Sequence, residues 1–249
     1  MTVSSTLPVL DARLPAGATG LFTTRDGGGS AAPWNELNLA VHVGDDPVQV
    51  SANRELLAAR LGTARLAALN QVHGRDVTIV DADSPAIPTA DAMVTTEAGV
   101  ALMVLVADCL PVLLVDVRHG VAAAAHAGRP GLAAGVLQAT VEAMTDVGAS
   151  ARDTVAVIGP GICGGCYEVP ADLRDEVELT VPGSAATTRW GTPSVDLAAG
   201  ALGILERLGL GQIRRTDSCT FEDPQLFSYR RDRVTGRFAG VVMLTPSDE

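Results

Sequence analysis

V-A-L-M-V-L-V-A-D-C-L-P-V-L-L-V, residues 100–115, sets two apolar runs on either side of the polar pair Asp108-Cys109. Within it Val104–Val106 and Val112–Val115 are short, rich in β-branched residues and bounded by turn residues, the pattern of buried strands. Val77–Val80 and Val155–Ile158 repeat that pattern. Helical spacing appears between such runs. Ser51–Leu61 is expected to be a helix with Ser51 capping its start, and Leu132–Asp146 another. A third, Asp196–Leu208, carries Leu197, Ala201, Ile204, Leu205 and Leu208 on one face. Near the end, Phe227–Arg231 and Phe238–Leu244 flank Asp232–Arg237, whose Thr235-Gly236 predicts a hairpin turn. Strands and helices mix without the strict alternation of a doubly wound sheet, so the expected class is α+β, mixed β-sheets flanked by helices. No repeat or long linker divides the chain, and one domain over residues 1–249 is expected.

Composition narrows the chemistry. With 47% hydrophobic residues the chain supports a globular core, whereas 3% aromatics and a net charge of −11 disfavour a nucleic-acid partner. All 18 basic residues counted as Lys+Arg are arginine. The absence of lysine removes Schiff-base chemistry, a pyridoxal phosphate linkage and a phosphate-loop lysine, so anions must be held by arginine, backbone amides or metal. Met1–Gly20 has no basic segment followed by an apolar core, and Val100–Ala107 falls far short of the roughly 18 residues of a membrane span. Four scattered cysteines without a secretory signal suggest reduced thiols in a cytoplasm, with no membrane partner.

Three residues occupy matching settings, each where a short apolar run meets a turn: His73 in N-Q-V-H-G, Cys109 in V-A-D-C-L-P and His126 in A-A-A-H-A-G. Two imidazoles and a thiolate suit zinc, and three protein ligands leave a fourth position open for water or substrate. Singly, each residue also reads as an ordinary solvated turn histidine or a small core cysteine. A competing reading makes Cys109 a nucleophile and His126 its base. Asp108 is a candidate general base or partner of a ligand, and equally a turn carboxylate. Gln71 either orients a ligand or satisfies backbone groups beside His73.

Other features are weighed in the same way. Cys163-Gly-Gly-Cys166 has the spacing of a redox motif or zinc knuckle, yet no second ligand pair lies nearby in sequence. Arg230, Arg231, Arg233 and Arg237 form a basic cluster, either a solvated hairpin edge or a phosphate site to which Arg25, beside Gly27-Gly28-Gly29, contributes from another loop. Arg129 is a further candidate; His42 reads as structural and His119 as an exposed turn residue. The zinc deaminase signature is absent, because no histidine is followed by x-Glu.

The motifs taken in order resemble a known family. They are F-T-T-R-D-G-G at Phe22–Gly28, L-N-L-A-V-H-V-G-D at Leu37–Asp45, Q-V-H-G, A-D-A at Ala90–Ala92, A-D-C-L-P-V-L-L, H-A-G and Y-E-V, followed by C-T, F-S-Y-R-R-D and T-G-R. Together they resemble the YfiH-like, laccase-domain proteins over nearly the whole chain. The resemblance implies a layered, single-domain α and β fold and a zinc site at His73, Cys109 and His126, with copper admitted at the same ligands. It implies phosphorolysis of purine nucleosides (adenosine, inosine, guanosine, S-methyl-5′-thioadenosine) and adenosine deamination; some members act in peptidoglycan quality control, and an older name is polyphenol oxidase. On that basis Arg25 and Arg231 are expected to hold phosphate, Gln71 to bind substrate and Asp108 to shuttle protons. The expected partners are a purine nucleoside and phosphate, and the expected state is a monomer or weak homodimer. The chain departs from the family's H-A-G-W-R-G-L, reading His126-Ala127-Gly128-Arg129-Pro130-Gly131-Leu132, so the family's arginine is not carried over to Arg129. A copper cluster of the laccase type needs many imidazoles, commonly in H-x-H pairs; four histidines and no such pair argue against it. The alternatives are a cysteine- or metal-dependent hydrolase editing peptidoglycan precursors, and a copper-dependent phenol oxidase.

Overall fold

A computed structural model of the chain describes residues 7–81, 83–84 and 87–245. In chain order the first elements are β1 (Val9–Asp11), β2 (Ala18–Thr23), α1 (Pro47–Leu61), β3 (Arg65–Ala67), β4 (Val77–Ile79) and β5 (Ala92–Thr95). Then come β6 (Val100–Val106), β7 (Leu110–Asp116), β8 (Val121–Ala127), α2 (Arg129–Ala134), α3 (Val136–Asp146) and β9 (Val155–Ile158). The last are α4 (Ala171–Thr180), β10 (Ala185–Thr187), β11 (Pro193–Val195), α5 (Leu197–Arg207), β12 (Gln212–Arg215), α6 (Tyr229–Asp232) and β13 (Phe238–Leu244).

Two mixed sheets dominate, in strand orders β1-β2-β13-β6-β3 and β12-β9-β7-β8-β5-β4. The quoted stretch is the hinge between them: β6 lies in the first sheet and β7 in the second, joined by Ala107-Asp108-Cys109 alone. Side-chain alternation assigns each face. On β6, Leu102 and Val104 join Leu113 and Val115 of β7 and Phe22 in a core between the sheets, while Ala101, Met103 and Leu105 pack with Leu37, Leu39 and Leu57 of α1. On β7, Val112 and Leu114 turn to the other side, to Leu137 of α3 and Ile204 of α5. The result is four layers, helix, sheet, sheet and helices, which is the α+β class expected. Sheets covered on both faces need strands apolar at every position, which is why these runs do not alternate. Each fully buried leucine contributes about 1.5–3 kcal/mol, so Leu113 and Leu114 anchor the two faces of β7.

Several boundaries differ from expectation for local reasons. α1 begins at Pro47 rather than Ser51: the Asp46 carboxylate accepts the Val48 N–H at 2.9 Å, and Pro47 has the backbone angle a first helical residue needs. Ser51 lies inside the helix. The predicted Leu132–Asp146 helix is two helices, because Gly135 at φ 94° ends α2 and starts α3. No hairpin forms across 227–244. Ser228 caps α6 by accepting the Arg231 N–H, and β13 pairs with β2 and β6 instead. Among the described residues no helix is long and apolar enough to cross a membrane.

Candidate active site

A loop, the β6–β7 hinge and strand β8 deliver His73, Cys109 and His126 to one point. His126 is the penultimate residue of β8, opposite Pro111 of β7, so it sits beside the β6–β7 hinge that carries Cys109. His73 arrives on the loop between β3 and β4. Its backbone is left-handed at φ 60°, a conformation costing a histidine roughly 1 kcal/mol. Asp91, fully buried just before β5, offsets that cost: its carboxylate accepts the N–H groups of Val72 (3.2 Å), His73 (2.9 Å) and Gly74 (2.6 Å).

The same carboxylate accepts Nδ1–H of His126 at 2.8 Å, and the His126 N–H donates to the Asp91 carbonyl at 2.7 Å. Committing Nδ1 to Asp91 leaves Nε2 of His126 for the site, the arrangement common for metal-bound histidine. The ring of His126 lies 4.7 Å, edge to face, from that of His73, and Cys109 Sγ is 3.7 Å from His73 Nε2. One ligand atom from each of the three residues lies within 4.8 Å of the others. Two imidazole nitrogens and a thiol at this spacing, one imidazole already oriented by a carboxylate, fit a zinc ion with one open position. Gly128 makes room for the group, since a Cβ there would lie 2.7 Å from His73 Cδ2 and 2.9 Å from Cys109 Sγ.

Without metal, Cys109 and His126 form a charge pair. Burial disfavours the Cys109 thiolate, but the charge and hydrogen bonds of His126 and His73 outweigh it and bring the thiol down to about 6. Burial likewise disfavours the His126 cation, yet Cys109 and Asp91 raise it to about 9. Asp91 is itself lowered: burial opposes this, but His126 and the Gly74 and His73 amides prevail.

The trio opens into a cavity of about 540 Å³. Leu105, Ile162, Leu197, Tyr167 and Tyr229 supply its apolar surface. Arg129, Arg230, Arg233 and Arg237 supply its charge. Arg230 donates to the Glu168 carbonyl and stacks over Tyr167, and Arg237 donates to the Thr235 and Gly236 carbonyls. Among the described residues the guanidinium groups of Arg129 and Arg233 have no hydrogen-bond or ion-pair partner.

The remaining expected site residues are placed differently. Asp108, at φ 96° in the hinge, lines the cavity, but Oδ1 accepts from Thr220 (2.7 Å) and Ser228 (2.6 Å) and Oδ2 from the Arg230 N–H (2.6 Å). Its carboxylate fastens the 220–230 segment to the hinge. Gln71 lines the cavity while its amide exchanges two 2.8 Å bonds with the Leu105 backbone. Arg231 points away from the cavity and is spent on the carbonyls of Thr220, Asp223 and Leu226 and on Asp232. Arg25 is likewise outside it, bonded to Asn35 and stacked over Phe227. His42 lines the cavity rim, and His119 closes a turn with Asp116. Asp91, whose only sequence signal is the A-D-A motif, joins the site, and of the predicted arginine cluster Arg230, Arg233 and Arg237, but not Arg231, line the cavity. Buried Cys166 and Cys219 and half-buried Cys163 form a separate group with Ile162, packed against Tyr167.

Residues 19–245 match the profile of a family described as multi-copper polyphenol oxidoreductase laccase. A purine nucleoside phosphorylase of Streptomyces coelicolor is 56% identical over 228 residues, covering 90% of this chain and 94% of that one. The crystal structure of a Neisseria meningitidis protein superposes with a TM-score of 0.88 at 39% identity, covering 96% of this chain and 99% of that one. The YfiH protein of Bacillus licheniformis gives a TM-score of 0.84 at 28% identity, covering 92% and 93% of the two chains.

Proposed function

This chain belongs to the multi-copper polyphenol oxidoreductase laccase family, and on that premise we propose that it is a zinc-dependent purine nucleoside phosphorylase with adenosine deaminase as a second activity. Adenosine, inosine, guanosine and S-methyl-5′-thioadenosine are the substrates in this reading. The single observation that carries it is the cavity: a three-ligand set on one wall, apolar and aromatic surface, and the unpaired guanidinium groups of Arg129 and Arg233. The Streptomyces coelicolor relative's name supports the same reading.

In phosphorolysis a phosphate oxygen bonds to the ribose C1′ while the bond from C1′ to the purine nitrogen breaks, the electron pair leaving with the base. The protein must hold a dianion in line with that bond and exclude water, which would otherwise compete as nucleophile. Arg129 and Arg233 are assigned the phosphate, replacing Arg25 and Arg231, whose side chains are consumed elsewhere. Tyr167, Tyr229 and Leu105 form the surface for the purine. A zinc ion held by His73, Cys109 and His126 supplies a Lewis acid for both activities. Asp91 orients two of those ligands, and Asp108 is a positioning residue rather than a proton shuttle, since three donors already occupy it. The four free cysteines fit a reducing cytoplasm, where we place the protein as a monomer or weak homodimer.

A second reading has a specific observation behind it. Cys109, His126 and Asp91 form a thiol, imidazole and carboxylate series, the layout of a cysteine hydrolase acting without metal. Incubating the purified protein with a purine nucleoside and inorganic phosphate separates the two. Ribose 1-phosphate plus free base, lost on chelation, supports the phosphorylase; free ribose plus base, formed without phosphate consumption, surviving chelation and lost on thiol alkylation, supports the hydrolase.

A further inference from the structure

The Cys163-Gly-Gly-Cys166 motif lacks a second ligand pair in the neighbouring sequence, but the fold provides one. Cys219 and Glu222, more than fifty residues downstream, meet it: one ligand atom from each of Cys163, Cys166, Cys219 and Glu222 lies within 4.8 Å of the others. We propose that these four residues form a second, structural metal site that binds zinc.

Both halves are built alike. The Cys163 carbonyl accepts the N–H groups of Cys166 and Tyr167, each at 2.9 Å. The Cys219 carbonyl accepts those of Glu222 (3.1 Å) and Asp223 (2.9 Å). Each pair therefore rides one helical turn that projects residues three apart to the same side. The two turns face each other across the isolated bridge Gly161–Cys219, with the Thr220 N–H donating to the Gly161 carbonyl at 3.1 Å. The Cys163 N–H points at Cys219 Sγ, 3.4 Å away, a contact that suits a sulfur carrying negative charge.

The ligand set is closed and sulfur-rich, unlike the open trio at the cavity. Three thiolates and a carboxylate are a four-coordinate zinc set, and no position is left for substrate. They overcompensate a divalent charge, and Arg189 stands where it offsets part of the excess: it pairs with Glu222 Oε1 and donates to Cys166 Sγ at 2.6 Å. Glu222 Oε2 is left facing Cys163 Sγ at 4.0 Å. Cys166 and Cys219 are buried, 2% and 6% exposed, while Cys163 is half-buried and Glu222 exposed, so the site spans the edge of the core. It would fasten the wall that carries Ile162 and Tyr167 to the segment that Arg231 and Asp108 anchor.

The test uses full-length protein purified without added metal. Cys109→Ala removes a cavity ligand, and Cys166→Ser with Cys219→Ser removes two ligands of the second site. The wild type is expected to hold about two zinc ions per chain and each variant about one. Cobalt loaded into the Cys109→Ala protein should give intense thiolate-to-metal charge transfer and tetrahedral d–d bands. Should the double variant fail to fold, Glu222→Ala in the Cys109→Ala background gives the second reading, a weakened cobalt affinity with the charge-transfer band retained. A Cys109→Ala protein that folds, carries no metal and shows no thiolate-to-cobalt band overturns the proposal, as does a Cys163–Cys166 disulfide in protein isolated under native conditions.

Discussion

The Asp91 carboxylate lies 2.8 Å from Nδ1 of His126 and, through the same group, holds the amide of His73 at 2.9 Å. One buried anion thus orients one candidate ligand directly and fixes the left-handed turn that presents another. A partner of this kind typically governs metal affinity.

Replacing Asp91 by Asn is therefore expected to weaken zinc binding by about 10–100-fold. The amide cannot accept from the imidazole and the three backbone donors with the strength of a carboxylate. Competition against a chromophoric chelator checks this; unchanged affinity would reduce Asp91 to a purely structural role.

Gly128→Ala should remove metal from a folded protein. The added methyl meets His73 Cδ2 at 2.7 Å and Cys109 Sγ at 2.9 Å, so the ligands must part. Metal content beside a thermal melt distinguishes the loss of the site from the loss of the fold.

Metal-free protein should show Cys109 alkylation rising with an apparent pKa near about 6. Above that value and below about 9, Cys109 and His126 share one proton as thiolate and imidazolium. The Cys109 contribution to stability is complete above the unfolded thiol pKa and lost as pH falls through about 6; that of His126 is complete below the unfolded imidazole pKa and lost as pH rises through about 9. Between roughly 6.5 and 8.5 the two slopes cancel, because folded and unfolded pairs both hold one proton. An alkylation profile centred near an ordinary thiol pKa would contradict the charge pair.

The arginines separate into two classes. Arg129→Ala and Arg233→Ala should each raise the KM for phosphate about 10-fold or more, a loss of roughly 1.4 kcal/mol, with the fold intact. Arg231→Ala should instead cost about 2–3 kcal/mol of stability in denaturant unfolding, because it leaves the carbonyls of Thr220, Asp223 and Leu226 without their donor. The opposite pattern would return Arg231 to the substrate.

These contrasts show what the sequence makes legible. The unbroken apolar runs around Asp108-Cys109 expose two strands buried on both faces, and the three residues read at the ends of apolar runs do converge, although His73 lies in a loop well beyond β3 and His126 still within β8. Strand and helix edges moved where one residue's chemistry decided, as with the Asp46 cap and the Gly135 break. Arg25, Arg231 and Asp108 look like site residues because arginine and aspartate serve anions and protons. Whether a guanidinium meets a carbonyl or a cavity depends on folding contacts remote in sequence, and Asp108 is held by Thr220, Ser228 and the Arg230 N–H, far along the chain. For the same reason Asp91 and the Cys219–Glu222 partner of the Cys163–Cys166 pair emerge only in three dimensions.

The central claim, that the His73, Cys109 and His126 site drives phosphate attack on a purine nucleoside, is tested most directly by following adenosine consumption with and without inorganic phosphate in wild type and Cys109→Ala. The wild type should yield adenine and ribose 1-phosphate only with phosphate present, and Cys109→Ala should yield neither. A zinc-loaded wild type that releases no base from adenosine, inosine, guanosine or S-methyl-5′-thioadenosine, or a Cys109→Ala protein of undiminished rate, would contradict it.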